Sequence, residues 1–73
     1  MNKPPKSLTL PFKLSPIASR ELSHRPSEQG GYVVLAQLPS GQPFVTWRAN
    51  ELGCFSGHYF DNLSDAIADY ETR

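Results

Sequence analysis

Apolar positions recur with two different periods along this chain. From residue 63 to 70 the period is helical. Leu63, Ala66, Ile67 and Tyr70 fall at i, i+3, i+4 and i+7, on one stripe of a 3.6-residue helix. Asn62 is suited to cap that helix, with Asp65 three residues on, and Arg73 sits in the last turn, where a cation complements the dipole. Upstream the period is two. Phe44–Ala49 places Val45, Trp47 and Ala49 on one face and Phe44, Thr46 and Arg48 on the other. Tyr32–Leu38 is a β-prone apolar run, and Cys54–Phe60 leads straight into the helix. Pro39–Gln42 and Asn50–Gly53 carry the turn residues between these runs. Short connections favour an antiparallel meander. Residues 31–73 therefore predict an α+β unit, a three-stranded antiparallel meander followed by one C-terminal helix.

Residues 1–30 read differently. Pro4, Pro5 and Pro11 deny a helix, while Leu8, Leu10, Phe12 and Leu14 alternate strictly. The pattern predicts an extended arm that docks its apolar side. Ser15-Pro16 resembles a cap followed by proline at the first helical position, so a short helix is expected over 16–24, stopped by Arg25-Pro26. Pro26–Gly31 is rich in breakers and reads as a flexible connection. One helix cannot cover both faces of a sheet holding Tyr32, Phe44, Trp47, Phe55, Tyr59 and Phe60. The arm, a second subunit or a partner must cover the rest.

Seventy-three residues leave room for one small core. The single cysteine, Cys54, permits no internal disulfide and suits a reducing compartment. No apolar run approaches the ~20 residues that span a bilayer, and the proline-broken N-terminus does not read as a signal peptide. A soluble cytoplasmic protein is the expectation. Formal net charge is zero but unevenly placed. Up to residue 25, Lys3, Lys6, Lys13, Arg20 and Arg25 face only Glu21, a net +4. Beyond it, Arg48 and Arg73 face six acids, a net −4.

Catalytic chemistry has little to build on. Cys54 and His58 stand four residues apart on a strand, ~13 Å along it, too far for a thiolate–imidazole pair or a shared metal. There is no phosphate loop, paired cysteine or His-x-x-x-His. No catalytic residue, metal or cofactor is expected. Cys54 reads as a small half-buried apolar residue, His58 as a sheet residue bonded to a nearby acid, and Trp47 as core or an interface anchor.

Gly30–Val34, Leu52–Gly57 and Asp61–Ile67 together resemble the core of HicB-type antitoxins, in which a Gly-Cys-Phe-like turn leads to a helix opening Asp-x-Leu-x-x-Ala. That resemblance implies a module that blocks a ribonuclease toxin. In type, a tiny cysteine-poor protein with an acidic helix is also similar to phage- or plasmid-encoded inhibitors such as anti-CRISPR proteins.

These readings lead to a non-catalytic protein-binding inhibitor of a nucleic-acid-processing enzyme or complex. Asp65 and Asp69 repel each other at i, i+4, which is most easily rationalised by a basic partner surface. Asp61, Asp65, Asp69 and Glu71 form the expected acidic edge, with Trp47 and Tyr59, together with Arg48, as the candidate anchor beside it. The arm either covers the spare sheet face or exchanges with a second copy in a homodimer. Two alternatives stand beside this one. The chain could bind RNA or DNA through Lys3, Lys6, Lys13, Arg20 and Arg25, or serve as a housekeeping interaction module.

Overall fold

The computed structural model describes residues 10–73. In chain order it contains β1 (Arg20–Pro26), β2 (Tyr32–Gln37), β3 (Phe44–Asn50), β4 (Gly53–Phe60) and α1 (Leu63–Thr72). The strands form one sheet in the order β1-β2-β3-β4, each neighbour antiparallel. The α+β class and the C-terminal helix match the expectation. The strand number does not, because four strands stand where three were expected.

The extra strand occupies most of the expected 16–24 helix. Ser15 does begin a turn, with Ile17 N–H donating to its Oγ at 3.4 Å and Ala18 N–H to its carbonyl at 3.1 Å. The turn stops there because Ser19 N–H bonds the Gln37 carbonyl at 2.7 Å and draws the chain into the β2 ladder. A bulge between Glu21 and Ser23 leaves Leu22 unpaired. One inserted residue shifts the inside–outside alternation by one position, which is why the period of two is not visible in Arg20–Pro26. The strand lies on the arm side of the expected boundary at residue 30, yet it pairs with β2 on both sides of the bulge.

The central strand β2 is buried on both faces, as its unbroken apolar run requires. On one face Val34, Ala36, Val45, Trp47 and Ala49 form a buried cluster with Phe12 of the arm. Leu10, Leu14 and Ala18 pack against the same cluster. Phe12 is 6 % exposed, with its ring 5.2 Å from that of His24 and 5.7 Å from that of Tyr32. Lys13 N–H reaches the Asn50 carbonyl at 3.4 Å. Residues 10–18 thus cover their own sheet. On the other face α1 lies over Val33, Leu35 and Thr46, and Ala66 is its one fully buried residue.

Two glycines are set by close approach. A Cβ at Gly57 would stand 2.8 Å from Trp47 Nε1, beside the β3–β4 bulge. Gly31 has φ +70° and its back lies against the Ala49 carbonyl oxygen. Gly31→Ala is expected to destabilise by about 2 kcal/mol or more, combining left-handed strain with a backbone clash. Gly30→Ala, which meets nothing within 4 Å, should cost only the strain, about 1 kcal/mol. Equal losses in paired denaturant titrations would remove the close approach from this account.

Candidate functional site

Helix α1 begins as its sequence dictates. Asn62 is extended (φ −129°) and accepts from Asp65 N–H at 3.0 Å, while its Nδ2 donates to Asp65 Oδ2 at 3.0 Å. The helix face is nevertheless not the expected one. Leu63 and Ile67 are 40 % and 37 % exposed, whereas Ala66, Asp69, Tyr70 and Arg73 meet the sheet. At 3.6 residues per turn this is a rotation of roughly 60°. Its cause is the sheet beneath, whose helix-facing side carries Ser23, Arg25, Thr46 and His58. Buried polar groups need partners, and the helix turns its own polar groups to them.

The resulting network is dense. Thr46 is fully buried, and its hydroxyl donates to Asp69 Oδ2 at 2.5 Å. His58 Nδ1 lies 3.0 Å from the same oxygen. Arg73 donates through Nη1 to the Thr46 carbonyl at 2.9 Å and to Thr46 Oγ1 at 3.1 Å. Its Nη2 donates to the Ser56 carbonyl at 2.7 Å. Ser56 has φ 55°, a strained conformation for a non-glycine residue. On the β1 side the Tyr70 hydroxyl meets Ser23 Oγ at 3.1 Å, and Arg25 Nη2 donates to the Tyr70 carbonyl at 2.7 Å. Arg25 also lies over the Tyr70 ring, 5.3 Å from its centroid.

Charge follows this geometry. Partial burial acts to raise the Asp69 pKa, but hydrogen bonds from Thr46 and His58 and the charges of His58 and Arg73 outweigh it. The carboxyl is held below its ordinary 3.8. Burial lowers the Arg73 pKa, with nearby Arg48 adding to it and Asp69 opposing. Burial raises that of the Cys54 thiol, despite an opposing backbone bond at Ser15.

A histidine bonded to an aspartate invites comparison with a catalytic dyad. Among the described residues, however, no Ser, Thr or Cys side chain is hydrogen-bonded to His58. Thr46 spends its proton on the carboxylate, and Cys54 lies against the arm, its Sγ 3.5 Å from the Lys13 carbonyl. Also among the described residues, no group of three His, Cys, Asp or Glu side chains could hold a metal. No helix there is long and apolar enough to cross a membrane. The network anchors the helix.

The sequence-selected residues are dispersed by the fold. Asp61 and Asp65 are exposed at the start of α1. Asp69, expected on the outer face with them, points into the sheet. Glu71 is exposed at the other end, on the rim of a cleft of ≈ 220 Å³ formed with Arg25, Ser27, Glu28 and Arg73. Trp47 is buried on the arm-covered face. Tyr59, opposite Val45 in the ladder, is half exposed on that same face. Arg48 is on the helix side, where its Nη1 donates to Ser27 Oγ at 3.3 Å. The expected anchors therefore do not line up beside the acids. Of the alternative nucleic-acid-binding set, Lys13 and Arg20 are exposed, and Arg20 Nε donates to Gln37 Oε1 at 2.9 Å. Arg25 is engaged by Tyr70, and Lys3 and Lys6 lie outside the described residues.

Sequence reasoning missed the Thr46–Asp69–His58 network and the gathering of Arg25, Arg48 and Arg73. A signal for both existed. Thr46 and Arg48 alternate on the polar face of β3, and Asp69 and Arg73 are spaced i, i+4 on the helix to meet them. Comparison of the chain with protein-family models, with curated proteins and with solved structures yields no match.

Proposed function

We propose that this protein is a non-catalytic binding module that inhibits a nucleic-acid-processing enzyme or complex by occupying a basic protein surface. One observation supports this reading most. From Asp61 to Ala68 every side chain except Ala66 is exposed. The outward crest of α1 is made of small residues, Ser64 and Ala68, flanked on one side by Leu63 and Ile67 and on the other by Asp65. A partner lying along this crest gains apolar contact on one flank and charge pairing on the other, the composition typical of protein interfaces. Phosphate would be repelled by the same carboxylates, so a protein surface fits better than a nucleic acid. Asp61 and Asp65 carry the electrostatic part of the proposed contact.

Charge reversal tests it. Asp61→Lys with Asp65→Lys is expected to weaken capture of the partner about tenfold or more. Because Asp65 also supports the cap, this variant should lose about 1 kcal/mol of stability. Ala68→Arg leaves the cap alone, places bulk on the crest and should block capture without destabilising the fold. Partner capture by immobilised wild-type and variant protein, followed by assay of the captured enzyme's nuclease activity, reads both effects. Undiminished capture by both variants would rule out this surface. Salt-sensitive gel shifts of oligonucleotides by the protein alone would favour the nucleic-acid alternative.

A further inference from the structure

The geometry points to a second site, at the C-terminal end of α1 and away from Asp61 and Asp65: a receptor for a single phosphate dianion, built by Arg25, Arg73 and the Ser27 hydroxyl, with Arg48 held beside it through Ser27. Three elements bring these groups together. Arg25 and Arg48 are both cross-strand partners of Val33, one on each side of it, so they flank the same point of the sheet. Arg73 is the C-cap of α1. No arginine among the described residues lies within 4.0 Å of a carboxylate oxygen; the only ion pairs there are His24–Glu21 and His58–Asp69. The three cations lean instead on neutral oxygens, those of Tyr70, Thr46, Ser56 and Ser27.

Donors remain unspent. A guanidinium offers five N–H groups, and among the described residues Arg25 and Arg48 each show one in use. Ser27 Oγ accepts from Gln29 N–H at 3.2 Å and from Arg48 Nη1 at 3.3 Å. With both lone pairs occupied, its own proton has to be donated elsewhere. The cleft that Ser27 lines with Arg25 and Arg73 measures ≈ 220 Å³. That is below the ~300 Å³ at which pockets begin to take whole small molecules, and suits a head group with its substituent in solvent. Burial chiefly lowers the Arg73 pKa, and nearby Arg48 adds a smaller repulsion that an anion would relieve.

Glu28 and Glu71 line the same cleft. Both oppose an anion there, and they weigh most against a polymer, whose neighbouring phosphodiesters would have to pass those carboxylates, so a compact group held by the arginines fits better. This site does not depend on the crest reading, since it uses none of the same residues.

The test is a titration of ¹⁵N-labelled protein with inorganic phosphate at constant ionic strength, following the arginine Nε–Hε signals. Saturable shifts of Arg25, Arg48 and Arg73, with Arg20 unmoved, are expected. Ser27→Ala should weaken binding about tenfold, the scale of one hydrogen bond to a charged group. Glu71→Gln should tighten it about threefold by removing a nearby like charge. Both positions lie outside the buried core. Shifts no larger than those produced by chloride would overturn the site, as would indifference to both substitutions. A single-stranded oligonucleotide that moves the three arginines at lower concentration than phosphate would also overturn it, in favour of a polymer backbone.

Discussion

Phe12→Ala is expected to lower the unfolding free energy by about 3–5 kcal/mol. The residue precedes the first strand in a segment without regular structure, where a truncation would ordinarily count for little. Its ring, however, is buried against Val34, Ala36, Val45, Trp47 and Ala49. Small domains are stable by only about 5–15 kcal/mol in total, so the loss would remove a large fraction of what holds this one folded. Removing the ring would also uncover apolar sheet surface and the His24 and Tyr32 ring edges that pack on it. Phe12→Leu keeps most of the apolar volume and should recover more than half of the loss. Urea titrations of the three proteins measure these differences. A change below about 1 kcal/mol for Phe12→Ala, the usual scale for surface positions, would mean that the arm does not seal this face.

Asp69→Ala is the second large effect, with an expected loss of about 2–3 kcal/mol. It strands the Thr46 hydroxyl, which is fully buried and donates to Asp69, and removes the acceptor that His58 meets. It also takes away the negative charge opposite Arg73. Asp69→Asn keeps an acceptor for Thr46 and should cost less. The pH dependence separates the contributions. Because the folded-state pKa of Asp69 is depressed, the carboxylate's contribution is fully present above its unfolded value of ~3.9. It is lost as the pH falls through the lower folded value. Wild-type stability should therefore drop more steeply than that of Asp69→Asn as acid passes through that window, between ~3.9 and the lower folded value. Parallel curves from pH 6 to pH 2 would show that the charge adds nothing to the hydrogen bonds.

Position 69 also shows why part of the candidate surface could not be read in advance. On a helical wheel Asp65 and Asp69 belong to one edge, and carboxylates ordinarily face water. Thr46 and His58 make the exception, because a polar row on the sheet needs partners and the helix supplies them by rotating. Leu63 and Ile67 are left half exposed as a result. Within residues 62–73 the i, i+4 spacing of Asp69 and Arg73 is the only trace of it, since the rotation depends on strands that are 23 and 11 residues away in sequence from Asp69. Leu22 is a parallel case. Its bulge erased the alternation that would have marked β1, and the edge of β2 recruited the segment regardless.

By itself the sequence determined the alternation of β3, the apolar run of β2, the capped helix after β4 and the turns between them. Those are local properties, written in spacing and in turn and cap chemistry. It also required that something cover a second sheet face, because one short helix cannot. Only the tertiary structure decided that the arm does so through Phe12, that a fourth strand completes the sheet, and which carboxylates remain outside. Those outcomes rest on pairing between distant residues, where burial and hydrogen-bond satisfaction outweigh local preference.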